Sequence, residues 1–116
     1  MQYEVKKYLK DIYNALSELE EFTKGKKFTD FVKDRGLQLI VERELEIVGE
    51  ALNKIRKIEG EIEKSIPDIP KIIALRNVII HGYASIDYEI LWDIVENKVA
   101  SFKQSISAML WGGNLP

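Results

Sequence analysis

Residues 69–83 read Ile-Pro-Lys-Ile-Ile-Ala-Leu-Arg-Asn-Val-Ile-Ile-His-Gly-Tyr. At about 100° per residue, Ile69, Ile72, Ile73, Leu75, Val78, Ile79 and Ile80 cover nearly the whole circumference of a helix. Only Lys71 offers an obvious solvent face. A helix that is apolar all round is expected at the centre of a bundle, packed on its own chain and against a second copy. Yet this one carries Arg76, Asn77 and His81, the single histidine of the chain. Burying such groups is costly unless each has a partner or a task. The helix is expected to span about 69–81, with Asp68 as N-cap, Pro70 in the first turn and Gly82 as its stop.

Working outward, residues 3–23 repeat apolar side chains at three and four, in Val5, Tyr8, Leu9, Ile12, Leu16, Leu19 and Phe22. Lys24-Gly25-Lys26-Lys27 ends that helix. Thr29 or Asp30 can cap a second, whose face continues through Leu37, Ile40, Val41, Leu45, Val48, Leu52 and Ile55. Gly36 either kinks it or splits off a short first piece. Gly60, Pro67 and Pro70 mark a connector with room for one helical turn. Asp87 caps a last helix carrying Ile90, Leu91, Ile94, Val95, Val99, Phe102 and Ile106. No segment alternates with period two for long enough to form a strand. The expectation is a single all-α domain over 1–111, an antiparallel bundle of four helices (five with the extra piece), and a flexible tail over 112–116.

Composition narrows the function. The chain has 116 residues, 17 basic and 19 acidic, for a net charge of -2. That is not the profile of a protein that coats nucleic acid by charge alone. There is no cysteine, which excludes disulfides and thiol chemistry. No signal peptide or membrane-length apolar run is read, so a cytoplasmic protein with no membrane partner is expected. There is no glycine-rich phosphate loop and no histidine cluster for a metal. Tyr3, Tyr8, Tyr13 and Phe22 read as core or dimer packing, and Trp92 as core. Trp111, placed in the tail, could dock on a partner. Lys24, Lys26 and Lys27 read as a solvated turn, with contact to RNA phosphates as the lesser reading.

The polar set on the apolar helix fits the cleavage of RNA without a metal. In that reaction the 2′-OH loses a proton, the 5′ oxygen gains one, and charge builds on the phosphate. An imidazole can act as base or acid, and a guanidinium fork matches phosphate oxygens. Asn77 lies one turn from His81 and could orient either group. Tyr83 could donate to the phosphate or stack on a base. The bland reading stands beside this one. His81 near a helix C-terminus is often structural, and Arg76 could pair with Glu42, Glu46 or Glu50. Glu42 and Glu50, eight apart, share a face that overlaps the apolar one, where either could anchor Arg76 or line a cleft.

Arg76, four residues, His81, one residue, Tyr83 resembles the signature of the HEPN superfamily. Its surroundings resemble the HepT-like branch of that superfamily. Residues 40–51 carry its Glu-Arg and Gly-Glu-Ala, residues 66–77 its run into the motif, and residues 86–95 the start of its last helix. The resemblance implies a helical bundle forming a two-fold homodimer through the motif helices. It also implies a prokaryotic toxin whose harm comes from metal-independent RNA cleavage, with Arg76 and His81 catalytic. The implied partner is a minimal nucleotidyltransferase antitoxin of the MntA type that transfers AMP from ATP to the motif tyrosine, here Tyr83. ATP and Mg²⁺ would then belong to the partner, and the chain itself would need no cofactor. The competing expectation is a non-catalytic module that docks the nucleotidyltransferase or a nucleotide.

Overall fold

A computed structural model describes residues 2–66, 69–81 and 86–112, leaving out the side chains of Ile69, Val78, Ile80 and His81. The expected caps at Asp68 and Gly82, Tyr83 itself, and residues 113–116 lie outside that set. Six α-helices follow in order: α1 (Tyr3–Thr23), α2 (Phe28–Phe31), α3 (Arg35–Ile58), α4 (Ile69–His81), α5 (Tyr88–Asn97) and α6 (Val99–Trp111). A 3-10 turn, Gly60–Lys64, sits in the α3–α4 connector. Among the described residues there is no strand, and the fold is the expected all-α bundle.

The boundaries have local causes. Gly25, at φ 76°, makes the left-handed turn that ends α1. The short piece expected before Gly36 exists as α2. The break falls at Asp34, whose Oδ1 accepts from the Leu37 amide at 3.0 Å and caps α3. Asp87 caps α5, accepting from the amides of Glu89 at 2.9 Å and Ile90 at 3.3 Å. The last helix is not continuous as expected. It breaks at Lys98, where φ -124° leaves helical geometry and separates α5 from α6. Lys98 is neither glycine nor proline, and the apolar spacing runs across it undisturbed.

α1 packs between α3 and α6, and α2 closes one end against α3 and α5. The α1–α6 register is antiparallel. Lys103 donates to Glu20 at 2.8 Å, and one end further along the Trp111 ring meets Tyr13 edge-on at 4.9 Å. Trp111 is therefore part of α6 and docks on its own chain. Val5, Leu9, Ile12, Leu16 and Leu19 meet Val41, Leu45, Val48, Leu52 and Ile55 in the core, with Leu91, Trp92 and Ile106. Phe31 stacks on Trp92 at 5.0 Å and seals the α2 end. Tyr3 and Phe22, expected to pack, are exposed in the single chain.

α4 departs from the expected central position. It packs on α3, and Ile72, Ile73 and Ile79 are its buried side chains among those described. Pro70, Lys71, Ala74 and Asn77 face outward. A cavity of about 220 Å³ separates Ile72 from Leu16 on α1 and from Ile94, Val99 and Phe102 on α5–α6. The helix is thus a flank laid on α3, not the axis of the bundle.

Two stability outcomes follow from these contacts. Asp34→Ala and Asp87→Ala each remove a side-chain cap and should each lower stability by about 1 kcal/mol in urea titrations, adding in the double variant. Glu44 is buried on α3, and desolvation, then the neighbouring Glu18, raises its pKa above the usual carboxylate value of 4.5, while Arg43 opposes them. The folded chain then holds a proton the unfolded chain has lost, so charging Glu44 costs stability as pH rises through the raised value. In dilute protein Glu44→Gln should be more stable than wild type at neutral pH. The gain should vanish below the unfolded value near pH 4.5.

Candidate functional site

The site begins with a glycine. Gly49 lies in the interior of α3, where glycine is unfavourable by about 1 kcal/mol relative to alanine. A Cβ there would stand 2.5 Å from Arg76 Cβ, 3.0 Å from its Cγ and 3.2 Å from the Ile72 carbonyl oxygen. α4 is therefore seated in a notch that only glycine leaves open. The signal in the sequence is a mid-helix glycine among good helix formers, which points to a close backbone approach.

That seat fixes the root of Arg76. Its guanidinium donates from Nη1 to Asn77 Oδ1 at 2.9 Å, and Nη2 stands 3.9 Å from Glu50 Oε2. Nε is buried and has no hydrogen-bond partner among the described residues. The Arg76 side chain is 23 % exposed and Glu50 44 %. Glu50 also faces Lys54 at 3.6 Å. The pair is loose, so the guanidinium keeps donors for another acceptor. Of the three glutamates that could have held Arg76, the structure brings up Glu50. Glu46 pairs with Arg43 at 3.2 Å.

Glu42 goes elsewhere. It is buried and accepts from Arg35 Nη1 at 3.2 Å. The same nitrogen reaches Gln38 Oε1 and Tyr88 Oη, each at 3.2 Å. Gln38 in turn donates to the Phe31 carbonyl at 3.0 Å. This network ties α2, α3 and α5 together, and its spacing along α3 was not picked out in the sequence. Glu42 is thus absent from the group around Arg76. His81 is the last residue of α4, one turn beyond Asn77, and Tyr83 falls outside the described residues. Among the described residues no group of three or more acidic, histidine or cysteine side chains could hold a metal ion.

An arginine seated on α3, an asparagine bonded to it and a histidine one turn on define a helical-bundle protein of the HEPN type. Residues 12–109 match the family described as HepT-like, "Ribonuclease HepT-like", and the chain belongs to that family. A candidate RNase of Methanocaldococcus jannaschii is 35% identical over 105 residues, covering 89% of this chain and 94% of that protein. The "Probable ribonuclease HepT" of Thermococcus cleftensis is 37% identical over 100 residues, covering 84% of this chain and 88% of that one. No solved structure matches the chain. No described helix is long and apolar enough to cross a membrane.

The notch gives a direct outcome. Gly49→Ala should push α4 off α3, lower stability by about 1–3 kcal/mol through overpacking, and displace Arg76. Arg76→Lys keeps the Cβ and Cγ at the notch and should leave stability within about 0.5 kcal/mol. Chemical denaturation of both variants separates the seat from the charge.

Proposed function

We propose that this chain is the toxin of a prokaryotic toxin–antitoxin pair and cuts RNA without a metal. The observation that supports it best is the state of Arg76. In a family of ribonucleases, a part-buried guanidinium is rooted in a glycine notch, bonded to Asn77 and paired only loosely with Glu50 at 3.9 Å, which leaves its Nη atoms with donors to give.

The chemistry assigns roles in sequence. Arg76 binds a non-bridging phosphate oxygen through its fork and holds the charge that grows there. Asn77 fixes one edge of that fork. His81 takes the proton from the 2′-OH. The 2′ oxygen then bonds phosphorus, the bond from phosphorus to the 5′ oxygen breaks, and that oxygen takes a proton. The products are a 2′,3′-cyclic phosphate and a 5′-hydroxyl. One imidazole per chain covers one of the two proton transfers. A homodimer meeting through α4 would bring a second imidazole to the same cleft. Glu50 faces Arg76 loosely, at 3.9 Å.

Neutralisation fits the same site. A minimal nucleotidyltransferase partner would move AMP from ATP to the Tyr83 oxygen, releasing pyrophosphate. The added phosphodiester carries a negative charge and a bulky nucleotide, two residues from His81 in sequence. It would compete with the substrate phosphate for Arg76.

Purified chain lacking AMP should cut cellular RNA in EDTA and leave 2′,3′-cyclic phosphate ends. Arg76→Ala and His81→Ala should each lose at least about 100-fold in rate while keeping the wild-type melting transition. Co-expression with the nucleotidyltransferase should abolish cutting and raise the intact mass by AMP additions, and Tyr83→Phe should block both changes. Folded wild-type protein that binds the transferase but cuts no RNA would point instead to a docking module.

A further inference from the structure

The residues that fix the start of α5 lie on the stripe of α3 that seats the helix bearing Arg76 and His81. At about 100° per residue, Arg35, Gln38, Glu42 and Gly49 fall within about 60° of one another around α3. α4 is seated at Gly49. The chain leaves α3 at its C-terminal end, where Arg56 faces Glu63 of the connector at 3.4 Å. It is back at the N-terminal end when Tyr88 meets Arg35 at 3.2 Å. α4 therefore runs back along α3, and beyond Arg76 it heads for the network. At about 1.5 Å per residue, His81 lies about 7.5 Å past the level of Arg76, and Glu42 about 10.5 Å from Gly49 in the same direction. Along the α3 axis, the end of α4 thus stops within about one turn of the Arg35–Glu42 pair.

His81 is the last residue of α4. The final carbonyls of a helix have no partners within it, so a last turn is held poorly by its own helix. The notch fixes α4 one turn and more earlier, at Arg76. A group that transfers a proton has to be held to within about 0.5 Å, which calls for an anchor downstream as well. Tyr88, the first residue of α5, is such an anchor. Its ring meets Phe31 edge-on at 5.5 Å, and its hydroxyl accepts from Arg35 Nη1. Gln38 holds the Phe31 carbonyl in turn, at 3.0 Å. Of the three acceptors on Arg35 Nη1, only Tyr88 lies off α3. That contact ties the chain beyond His81 to the stripe that carries the notch.

We propose, on the nuclease reading of the same site, that Arg35 is a positioning residue for His81. It touches no substrate. Backed by Glu42 and Gln38, it holds Tyr88, and Tyr88 anchors the chain beyond α4 as the Gly49 notch anchors it before. α3 then sets both ends of the segment that carries Arg76 and His81. An exposed ion pair adds little stability, so the anchor shows in the placement of the imidazole more than in the melting transition.

Two variants cut the link, and circular dichroism melts check that each stays folded. Arg35→Ala removes the donor, and Tyr88→Phe removes the hydroxyl while keeping the ring on Phe31. His81 is the only histidine, so the imidazole Cε1–Hε1 signal of the tag-free chain is a single NMR peak. Recorded at about pH 9, with the imidazole neutral, that peak should shift or split in both variants. Lys10→Gly changes an exposed residue and weakens α1 by helix propensity alone, and it should leave the peak in place. In RNA cutting, both variants should lose at least about tenfold in kcat with KM within about twofold, and Lys10→Gly should lose neither. The double variant should be no slower than the slower single one, because both break one link. A peak unmoved in both variants would overturn the proposal, whether or not the wild type cuts RNA. So would wild-type rates in both, an equal loss in Lys10→Gly, or losses that multiply in the double variant. A wild type that cuts no RNA, with a peak that moves in both variants, would sink the nuclease reading and support the anchor.

Discussion

The close approach of α3 and α4 at Gly49 and Arg76 is the contact on which the arrangement of the site depends. Among the described residues α4 packs chiefly on α3 and has a cavity on its inner side, so its position is set mainly from α3. Where the α4 backbone lies is set by how near it comes to α3, and that is set by a missing Cβ. Gly49, Glu50 and Ala51 then divide three tasks among consecutive residues. Gly49 admits the stem of Arg76, Glu50 faces its guanidinium, and Ala51 turns into the core at 6% exposure. The helix-propensity cost of an interior glycine is small beside the cost of forcing two backbones apart.

Two of the arginines that meet α3 carboxylates, Arg35 and Arg76, show what that seat is for. Arg35 places one nitrogen against three protein acceptors, Glu42, Gln38 and Tyr88. Its head is 62% exposed, so the ion pair is worth little by itself, at most about 1 kcal/mol. The network matters instead because it satisfies the buried Glu42 and Gln38 side chains and fixes the start of α5. Arg76 is the opposite case. It is more buried, its carboxylate stands at 3.9 Å, and its Nε has no partner among the described residues. A structural arginine closes its hydrogen bonds. One that is held in place with donors to spare is arranged for an acceptor that arrives later.

Much of this was legible in the sequence, for a physical reason. Helical periodicity and polar caps act locally, so α1, α3, α4 and the Asp87 start of α5 could be read directly. Periodicity reports which face of a helix is apolar, and it is silent on what covers that face. Hence Phe22 and Ile90 were read into apolar faces that the chain leaves open, and α4 was read as central. The break at Lys98 left no mark because Val95, Val99 and Phe102 keep helical spacing through it. For the site, residue types narrowed the partner of Arg76 to three glutamates on one helix. Only the seating of α4 chooses Glu50, and only a distance shows that Glu42 belongs to Arg35. The notch left only an interior glycine as its signal, and Gly49 was read as part of a family motif and not as a seat, while the network around Gln38 needed α2 and α5 to be placed first.

The uneven covering of α4 bears on how the proposed chemistry is completed. Ile72, Ile73 and Ile79 are spent on the chain's own core, whereas Ala74 and Asn77 lie open and Leu75 is half-covered. The open stripe is the one that leads toward the end of the helix where the histidine sits. Cleavage of a phosphodiester by proton transfer alone needs a base and an acid, and each chain carries a single imidazole. A second copy laid along that stripe would meet both requirements at once. It would cover Ala74 and Leu75, which one chain leaves open or half-covered, and supply the missing proton donor. On this reading the cost of exposing α4 in the lone chain and the shortage of titratable groups have one remedy, and the arginine held in the Gly49 notch is the part of each half-site that is already in place.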